Sequence, residues 1–256
     1  MPKLSITTAW NETAAFVRRE AGLLFPVAFG LIALPLVFLQ LVVPVAAPGQ
    51  EPQSGLWMLL VLPLVFLSGV ATVAISALAT GRETVVGDAL RRGVLRVLPL
   101  IGASLLIMAC MLPLAVILVL LAQTAPIVGI IVGLAALIAL ITLWVRLMLV
   151  TPVAAAETGG PITIIKRSFD LTRGHAAKLV GFVVLIFVLG LVITFALVTV
   201  GGILIHLLTG SPEPGSVGFF LVLLLGALLQ TVFAVYFAVM LARIYAQLAG
   251  ESTSGT

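Results

Sequence analysis

Long stretches without a charged side chain constrain this chain more than any other feature. Five of them contain no Asp, Glu, Lys or Arg: residues 21–50, 52–81, 97–145, 179–212 and 214–242. A helix needs about 20 mostly apolar residues to cross the roughly 30 Å hydrocarbon core of a bilayer. Four stretches fit one such helix each, and the longest fits two, with its polar turn at Gln123–Pro126. The pattern predicts six spans: near 22–45, 56–80, 97–122, 127–150, 178–207 and 217–245.

The composition excludes several other classes of protein. Only 9% of the 256 residues are charged, whereas soluble domains carry about 25%. A soluble domain, a disordered tail and a disulfide scaffold are therefore excluded. The single cysteine, Cys110, also excludes an internal disulfide and a metal site built from cysteines. We predict an all-α polytopic membrane protein, a single integral membrane domain over residues 1–256, with no metal and no cofactor.

The basic residues predict the orientation of the chain. The connections after the first, third and fifth spans contain no Lys or Arg, so all 13 basic residues lie on the other side. By the positive-inside rule, both termini are expected in the cytoplasm. We predict a multi-pass protein of the bacterial inner membrane. The basic pI of 9.8 then reflects topology, and no basic surface with stacking aromatic residues indicates nucleic-acid binding.

Each cytoplasmic segment is predicted to form a short interfacial amphipathic helix, because apolar residues recur at helical spacing opposite basic ones. Ser5 is expected to cap the first helix, and Pro161 is expected at the first position of the third. The predicted apolar faces are Ile6, Trp10, Ala14 and Val17 in the first helix, Val86, Leu90, Val94 and Val97 in the second, and Ile162, Ile165 and Phe169 in the third.

An internal repeat is also predicted. Aligning Ala9, Ala89 and Ser168 gives offsets of 80 and 79 residues, and each segment is followed by two spans. The repeat units are approximately 5–80, 81–157 and 158–250, which suggests a pseudo-threefold bundle with three interfacial helices. The alternative is that any six-helix protein with short loops has a period near 80.

The membrane interior offers few polar candidates. Arg146 and Arg243 fall at the inner ends of spans four and six, as anchors or as partners of Glu157, Asp170 or lipid phosphate. Gln230 is the candidate intramembrane polar residue. Its side chain suits an interhelical hydrogen bond better than a substrate contact. No catalytic motif or metal-binding motif is present, so we predict that the protein is not an enzyme.

One segment carries a family resemblance. Residues that match lie between spans four and five: Arg146, Pro152, Glu157, Arg167, Ser168, Phe169, Leu171, Thr172 and Gly174. This pattern resembles the membrane domain of bacterial glycerophosphoryl diester phosphodiesterases and related stand-alone six-helix proteins. The resemblance implies a membrane module without catalysis of its own, since the soluble phosphodiesterase domain is absent.

The candidate site is the cytoplasmic rim. Its predicted members, for lipid binding or for structure, are Arg146, Glu157, Arg167, Ser168, Asp170, Arg173 and Arg243. Within it, we expect Arg146 and Glu157 to form an ion pair that fixes the turn from membrane to surface. Pro152 would end or kink the helix that carries Arg146.

Three functions remain open at this point. The favoured one is a non-enzymatic scaffold or regulator in envelope or lipid homeostasis, which binds anionic lipid headgroups or a membrane-protein partner at the rim. The alternative is a transporter or lipid flippase with a path between the hairpins. The least favoured is an enzyme acting through Arg146, Glu157 and His175. Neither the oligomeric state nor any ligand follows from the sequence.

Overall fold

The protein is all-α. The computed structural model describes residues 5–42, 57–81, 85–124, 126–211, 213 and 215–250. Their helices are α1 Ile6–Ala28, a π-helical segment Phe29–Ala33, α2 Leu34–Val42, α3 Trp57–Ala79, α4 Val86–Thr124, α5 Pro126–Leu147, α6 Val150–Ala156, α7 Pro161–Thr172, α8 Ala176–Thr209 and α9 Val217–Leu248.

Within the described ranges, six helical segments are long and apolar enough to cross a bilayer, which confirms a multi-pass membrane protein. These are Ile6–Val42, Val61–Ala79, Val86–Leu121, Val128–Ala156, Ala176–Thr209 and Val217–Leu248. Each overlaps one of the six predicted spans. The sequence locates them well because the thickness of the hydrocarbon core sets a minimum apolar length.

The first two of the three predicted amphipathic segments are not separate helices, contrary to the prediction. The first continues from Ile6 into span one, and the second continues from Val86 into span three. A helix ends readily where a glycine adopts a left-handed conformation, and neither junction has one. The third segment is separate because Gly174, with φ +83°, follows the end of α7.

Ser5 and Pro161 occupy the positions predicted for them. The Ser5 hydroxyl accepts a hydrogen bond from the Thr8 amide and so caps α1. Pro161 opens α7 directly after Gly160.

Within span one, the Leu34 amide donates to the Phe29 carbonyl five residues back. This π-helical turn lies directly before Pro35, which lacks an amide hydrogen of its own.

The helices form a bundle in which consecutive spans are neighbours. Segment α9 packs on α8, on α1 and on α3, which joins the end of the chain to its beginning. The buried core lies mainly at one end of this bundle, where the largest fully buried side chains include Tyr245, Leu24, Leu149, Ile164 and Leu179. We call this the basic end. It comprises the starts of α1, α4 and α8, the segment α6–α7 and the last turns of α9.

The opposite halves of two helices are largely uncovered. Among the described side chains, none beyond Ala103 in α4 and none beyond Val183 in α8 is buried. Their apolar side chains therefore face the surroundings, as lipid-contacting side chains of a spanning helix do.

The predicted apolar faces of the three segments contain both exposed and buried side chains. The side chains of Trp10, Val94 and Ile162 are 41%, 48% and 60% exposed. The buried stripes hold smaller residues: Ala9, Thr13 and Val17 in α1, Ala89, Gly93 and Val97 in α4, and Ile164, Ser168 and Thr172 in α7. Small residues let helix backbones approach closely, so they favour helix contacts in membrane proteins. Trp10, Val94 and Ile162 lie beside these stripes and point outward.

The three residues aligned by the predicted repeat behave alike. Ala9, Ala89 and Ser168 are each 0% exposed. The hydroxyls of Thr13 and Thr172, four residues after two of them, donate to the carbonyls of Ala9 and Ser168 at 2.7 and 2.9 Å. This agreement supports an internal repeat, which stays a prediction.

Candidate functional site

A carboxylate joins three helical elements at the basic end. Glu157 follows the last residue of α6, and its Oε1 accepts a bond from Arg167 Nε of α7 at 2.9 Å. The Tyr245 hydroxyl of α9 donates to the same Oε1 at 2.9 Å. We call these three residues the Glu157 cluster. It ties α6, α7 and α9 together through one oxygen atom.

Burial differs across the Glu157 cluster. Tyr245 is 1% exposed, whereas the side chains of Glu157 and Arg167 are 32% and 42% exposed. The hydrogen bond to Glu157 raises the pKa of Arg167 above its ordinary value, so this guanidinium stays charged. The cluster thus reaches from the core of the basic end to its surface.

The predicted ion pair between Arg146 and Glu157 is wrong. Glu157 pairs with Arg167, and the Arg146 guanidinium lies over the Phe169 ring, with 5.7 Å from Cζ to the centroid. Arg146 ends α5, and Phe169 lies on α7, so this cation–π contact joins the two helices. The Ser168 hydroxyl donates to the Arg146 carbonyl at the same joint. Two of the predicted site residues therefore fasten α7 to the end of span four.

Arg243 occupies a separate joint between α9 and α1. Its guanidinium lies over the Phe16 ring at 4.9 Å, and Arg19 lies over the same ring at 5.7 Å. Arg19 also pairs with Glu20 at 2.9 Å, on the surface. Among the described residues, neither Arg243 nor Arg146 forms the predicted ion pair with Glu157 or Asp170.

Several contacts at the basic end have no counterpart in the sequence predictions. The Arg92 guanidinium donates to the Ala155 carbonyl at 3.3 Å, near the end of α6 where helical carbonyls lack helical donors. The Gln247 side-chain oxygen accepts from the Ser5 amide at 3.2 Å, which links the two ends of the chain. Tyr245 was also missed. An aromatic residue with a polar tip near the end of a span is the one signal that could have indicated it.

Asp170 and Arg173 of the predicted rim are exposed. A surface cleft of about 350 Å³ lies on the first turns of α4, with Asp88, Arg91, Arg92, Leu95 and Arg96 around it. Asp88 lies three and four residues before Arg91 and Arg92, which in turn lie three or four residues before Leu95 and Arg96, so all five share one side of the helix. The cleft is an arginine-rich surface with a single carboxylate.

Gln230 does not lie in the bundle interior. Its side chain is exposed on α9, so the structure does not support the predicted interhelical hydrogen bond. The residue after it, Thr231, is buried and donates to the Ala227 carbonyl at 2.7 Å.

A lateral apolar groove lies along the contact between α8 and α9. Its volume is about 350 Å³, and its walls include Ile193 and Leu197 of α8 and Phe233 and Phe237 of α9. Trp10 of α1 lies at the part of the groove that faces the basic end, beside Met240.

Metal chemistry has no evident place in the described part of the chain. No three His, Cys, Asp or Glu side chains there lie close enough together to hold a metal ion. The absence of enzymatic activity stays a prediction.

Comparison with known proteins places the chain in a family. No curated protein and no solved structure matches it significantly. One family model matches residues 4–248, which is nearly the whole chain. The resemblance to the membrane domain of glycerophosphoryl diester phosphodiesterases stays a prediction beside this match. The chain is a multi-pass membrane protein that belongs to the family described as Domain of unknown function (DUF7847).

Proposed function

We propose that this protein is a non-enzymatic scaffold or regulator of envelope or lipid homeostasis. Its basic end binds anionic lipid headgroups at the cytoplasmic face of the bacterial inner membrane, alone or with a membrane-protein partner. The observation that carries the proposal is a shared surface. At the basic end, the same helices expose basic side chains next to large apolar ones.

The first turns of α4 illustrate this surface. Arg91 is exposed, and so are Val94, Leu95 and Leu98 within the following two turns. A helix with this combination suits the boundary between headgroups and acyl chains, where cations meet phosphate and apolar side chains meet hydrocarbon. In α7, exposed Lys166 lies four residues after exposed Ile162, which repeats the combination.

Most of the described basic residues at this end fall into two groups. Arg146, Arg167 and Arg243 contact neighbouring helices, as described above, and so serve the fold. A second group is exposed: Arg18, Arg91, Lys166, Arg173 and Lys178. Each Lys or Arg near an anionic bilayer contributes on the order of 1 kcal/mol to membrane attraction. The second group is therefore the one that we expect to bind headgroups.

The alternative function, a transporter or lipid flippase, is favoured by the groove between α8 and α9. The walls of that groove are apolar, so a charged solute would find no partner there, whereas a lipid tail would need none. The two functions differ in one measurable property. A flippase moves lipid between leaflets of a reconstituted vesicle, and a scaffold does not.

Headgroup preference tests the proposed function. We expect the detergent-solubilised protein to retain phosphatidylglycerol in excess when it is offered an equal mixture with phosphatidylcholine of the same chains. Changing the exposed residues Arg18, Arg91 and Arg173 together to Gln should lower the affinity for phosphatidylglycerol on the order of 100-fold, because each of the three contributes about 1 kcal/mol of attraction. Native mass spectrometry of the bound lipids measures the headgroup preference of the unchanged protein and its loss in the variant.

The matched control replaces the same three arginines by Lys, which keeps the charge. This variant should retain most of the preference, since surface attraction depends on charge. Equal retention of both lipids by the unchanged protein would refute the proposal. Loss of the preference in the Lys variant would instead indicate that guanidinium geometry, and not surface charge, determines it.

A further inference from the structure

We infer that the groove between α8 and α9 binds one acyl chain of a membrane lipid whose phosphate lies beside Lys178. This inference rests on the proposed function for the identity of the headgroup, and on the geometry of the groove for the tail.

Close packing of α8 and α9 creates the groove. A Cβ atom at Gly190 would lie 2.4 Å from the Phe233 ring, so the missing side chain lets this ring approach α8. The Phe233 and Phe237 rings stack at 5.9 Å with 10° between their planes. They form a flat apolar surface along α9. Ile193 and Leu197 of α8 border it and remain about half exposed.

The location of the groove identifies its occupant. Both helices are long and apolar enough to span a bilayer, so the medium at the groove is hydrocarbon. A volume of about 350 Å³ lies at the small end of the roughly 300–1,000 Å³ of ligand sites. An acyl chain fits such a site because it needs no hydrogen-bond partner, whereas a polar solute would lose its hydration there.

The groove is lined mostly by apolar side chains, and Trp10, Thr194 and Tyr236 are the lining residues with a polar group. Trp10, at the part of the groove that faces the basic end, is an amphipathic aromatic residue of the kind enriched at membrane interfaces. Lys178 is exposed in the first turn of α8, eleven residues before Leu189 of the groove. Eleven residues make about three helical turns, so Lys178 and Leu189 share one side of α8. Lys178 therefore lies on the Leu189 side of the groove, toward the basic end.

Tail binding is tested by fluorescence quenching of Trp10. In a background with Trp57→Phe and Trp144→Phe, we expect phosphatidylglycerol with brominated chains to quench Trp10 saturably, at about one lipid per protein. Ile193→Phe fills the groove and should raise the lipid concentration for half-maximal quenching on the order of tenfold. Val192→Phe, at an exposed neighbouring position that does not line the groove, is the matched control and should leave it unchanged.

Native mass spectrometry measures the lipid bound by Ile193→Phe and by Val192→Phe in the otherwise unchanged chain, and so repeats the comparison without the tryptophan substitutions. Quenching that never saturates, or that is equal in both variants, would overturn the inference. So would a change of oligomeric state in Ile193→Phe without saturable quenching, because the groove would then be a contact between two copies of the chain.

The headgroup position is tested separately. Lys178→Gln should weaken saturable quenching by brominated phosphatidylglycerol about fivefold, and should leave quenching by brominated phosphatidylcholine unchanged. Lys178→Arg, which keeps the positive charge at the same position, is the control and should retain the preference. Equal loss in the two variants would refute a role for the charge at Lys178. Saturable quenching without headgroup preference would uphold lipid binding in the groove and contradict the proposed function. Retained headgroup preference without saturable Trp10 quenching would uphold the proposed function and contradict lipid binding in the groove.

Discussion

Gly93→Ala is expected to destabilise the protein more than any other single methyl group added to α4. A Cβ atom at Gly93 would lie 2.6 Å from the Val70 carbonyl oxygen of α3. That oxygen belongs to the backbone, so no side-chain rotation relieves the clash, and the two helices must separate. Overpacking of this kind costs about 1–3 kcal/mol. The melting temperature of the purified protein, followed by tryptophan fluorescence or circular dichroism, measures the loss.

Gly87→Ala is the control for Gly93→Ala. It lies on the same helix, and a Cβ atom there would meet nothing within 4 Å. Replacing a helical Gly by Ala reduces the freedom of the unfolded chain, so we expect stability to rise by about 0.5–1 kcal/mol. Equal melting temperatures for the two variants would show that α3 and α4 are not packed closely at Gly93.

Glu157→Ala is expected to have the second large effect. The substitution removes the acceptor of two hydrogen bonds, from Arg167 and from Tyr245. Hydrogen bonds to charged groups are worth about 1.5–3 kcal/mol, and the Arg167 bond counts for less because both of its partners are partly exposed. We therefore expect a loss of about 1.5–3 kcal/mol in stability, mostly through Tyr245. Tyr245→Phe should reproduce most of it.

Charge reversal distinguishes the observed partner of Glu157 from the predicted one. Glu157→Arg should be rescued in part by Arg167→Glu, because the two new side chains can pair across the same gap. It should not be rescued by Arg146→Glu, because Arg146 contacts Phe169 instead. The yield of folded, monodisperse protein in detergent provides the readout. Better rescue by Arg146→Glu would overturn the assignment of the Glu157 cluster.

The spans were predictable because the hydrocarbon core imposes a length that apolar stretches must reach. Their ends at the basic side were less predictable. The sequence around residues 17–22 changes from polar to apolar, which suggested a break, yet α1 continues through it. Hydropathy indicates whether a helix lies in water or in hydrocarbon, but it does not indicate where the helix ends. Gly174 was a better signal of a helix end than hydropathy. A glycine can adopt the left-handed conformation that ends a helix, whether its neighbours are apolar or polar.

Which residues of the apolar faces are buried did not follow from the apolar pattern, for a physical reason. The pattern groups exposed Trp10 with buried Val17, and exposed Val94 with buried Val97. In a bilayer, hydrocarbon accepts large apolar side chains as well as the protein interior does, and close helix contact selects small ones. Ala9, Ala89 and Ser168 satisfy that rule, and all are fully buried.

The candidate rim was partly predictable, and its connections were not. Sequence position identified Arg146, Glu157, Arg167 and Ser168 as neighbours along the chain, and the structure joins them in two pairs. Tyr245 lies 88 residues from Glu157, so only the packing of α9 against α6 brings the two together. The groove depends in the same way on how closely α8 and α9 approach at Gly190.

Cysteine accessibility tests the central claim most directly, which is that the basic end faces the cytoplasm. In a Cys110→Ala background, Thr158→Cys places a thiol in the exposed connection between α6 and α7, and Ser211→Cys places one in the connection between α8 and α9. We predict that a membrane-impermeant maleimide labels Ser211→Cys in intact spheroplasts and labels Thr158→Cys only after lysis. Labelling of Thr158→Cys in intact spheroplasts, with Ser211→Cys protected until lysis, would contradict the orientation and the headgroup binding proposed for the basic end.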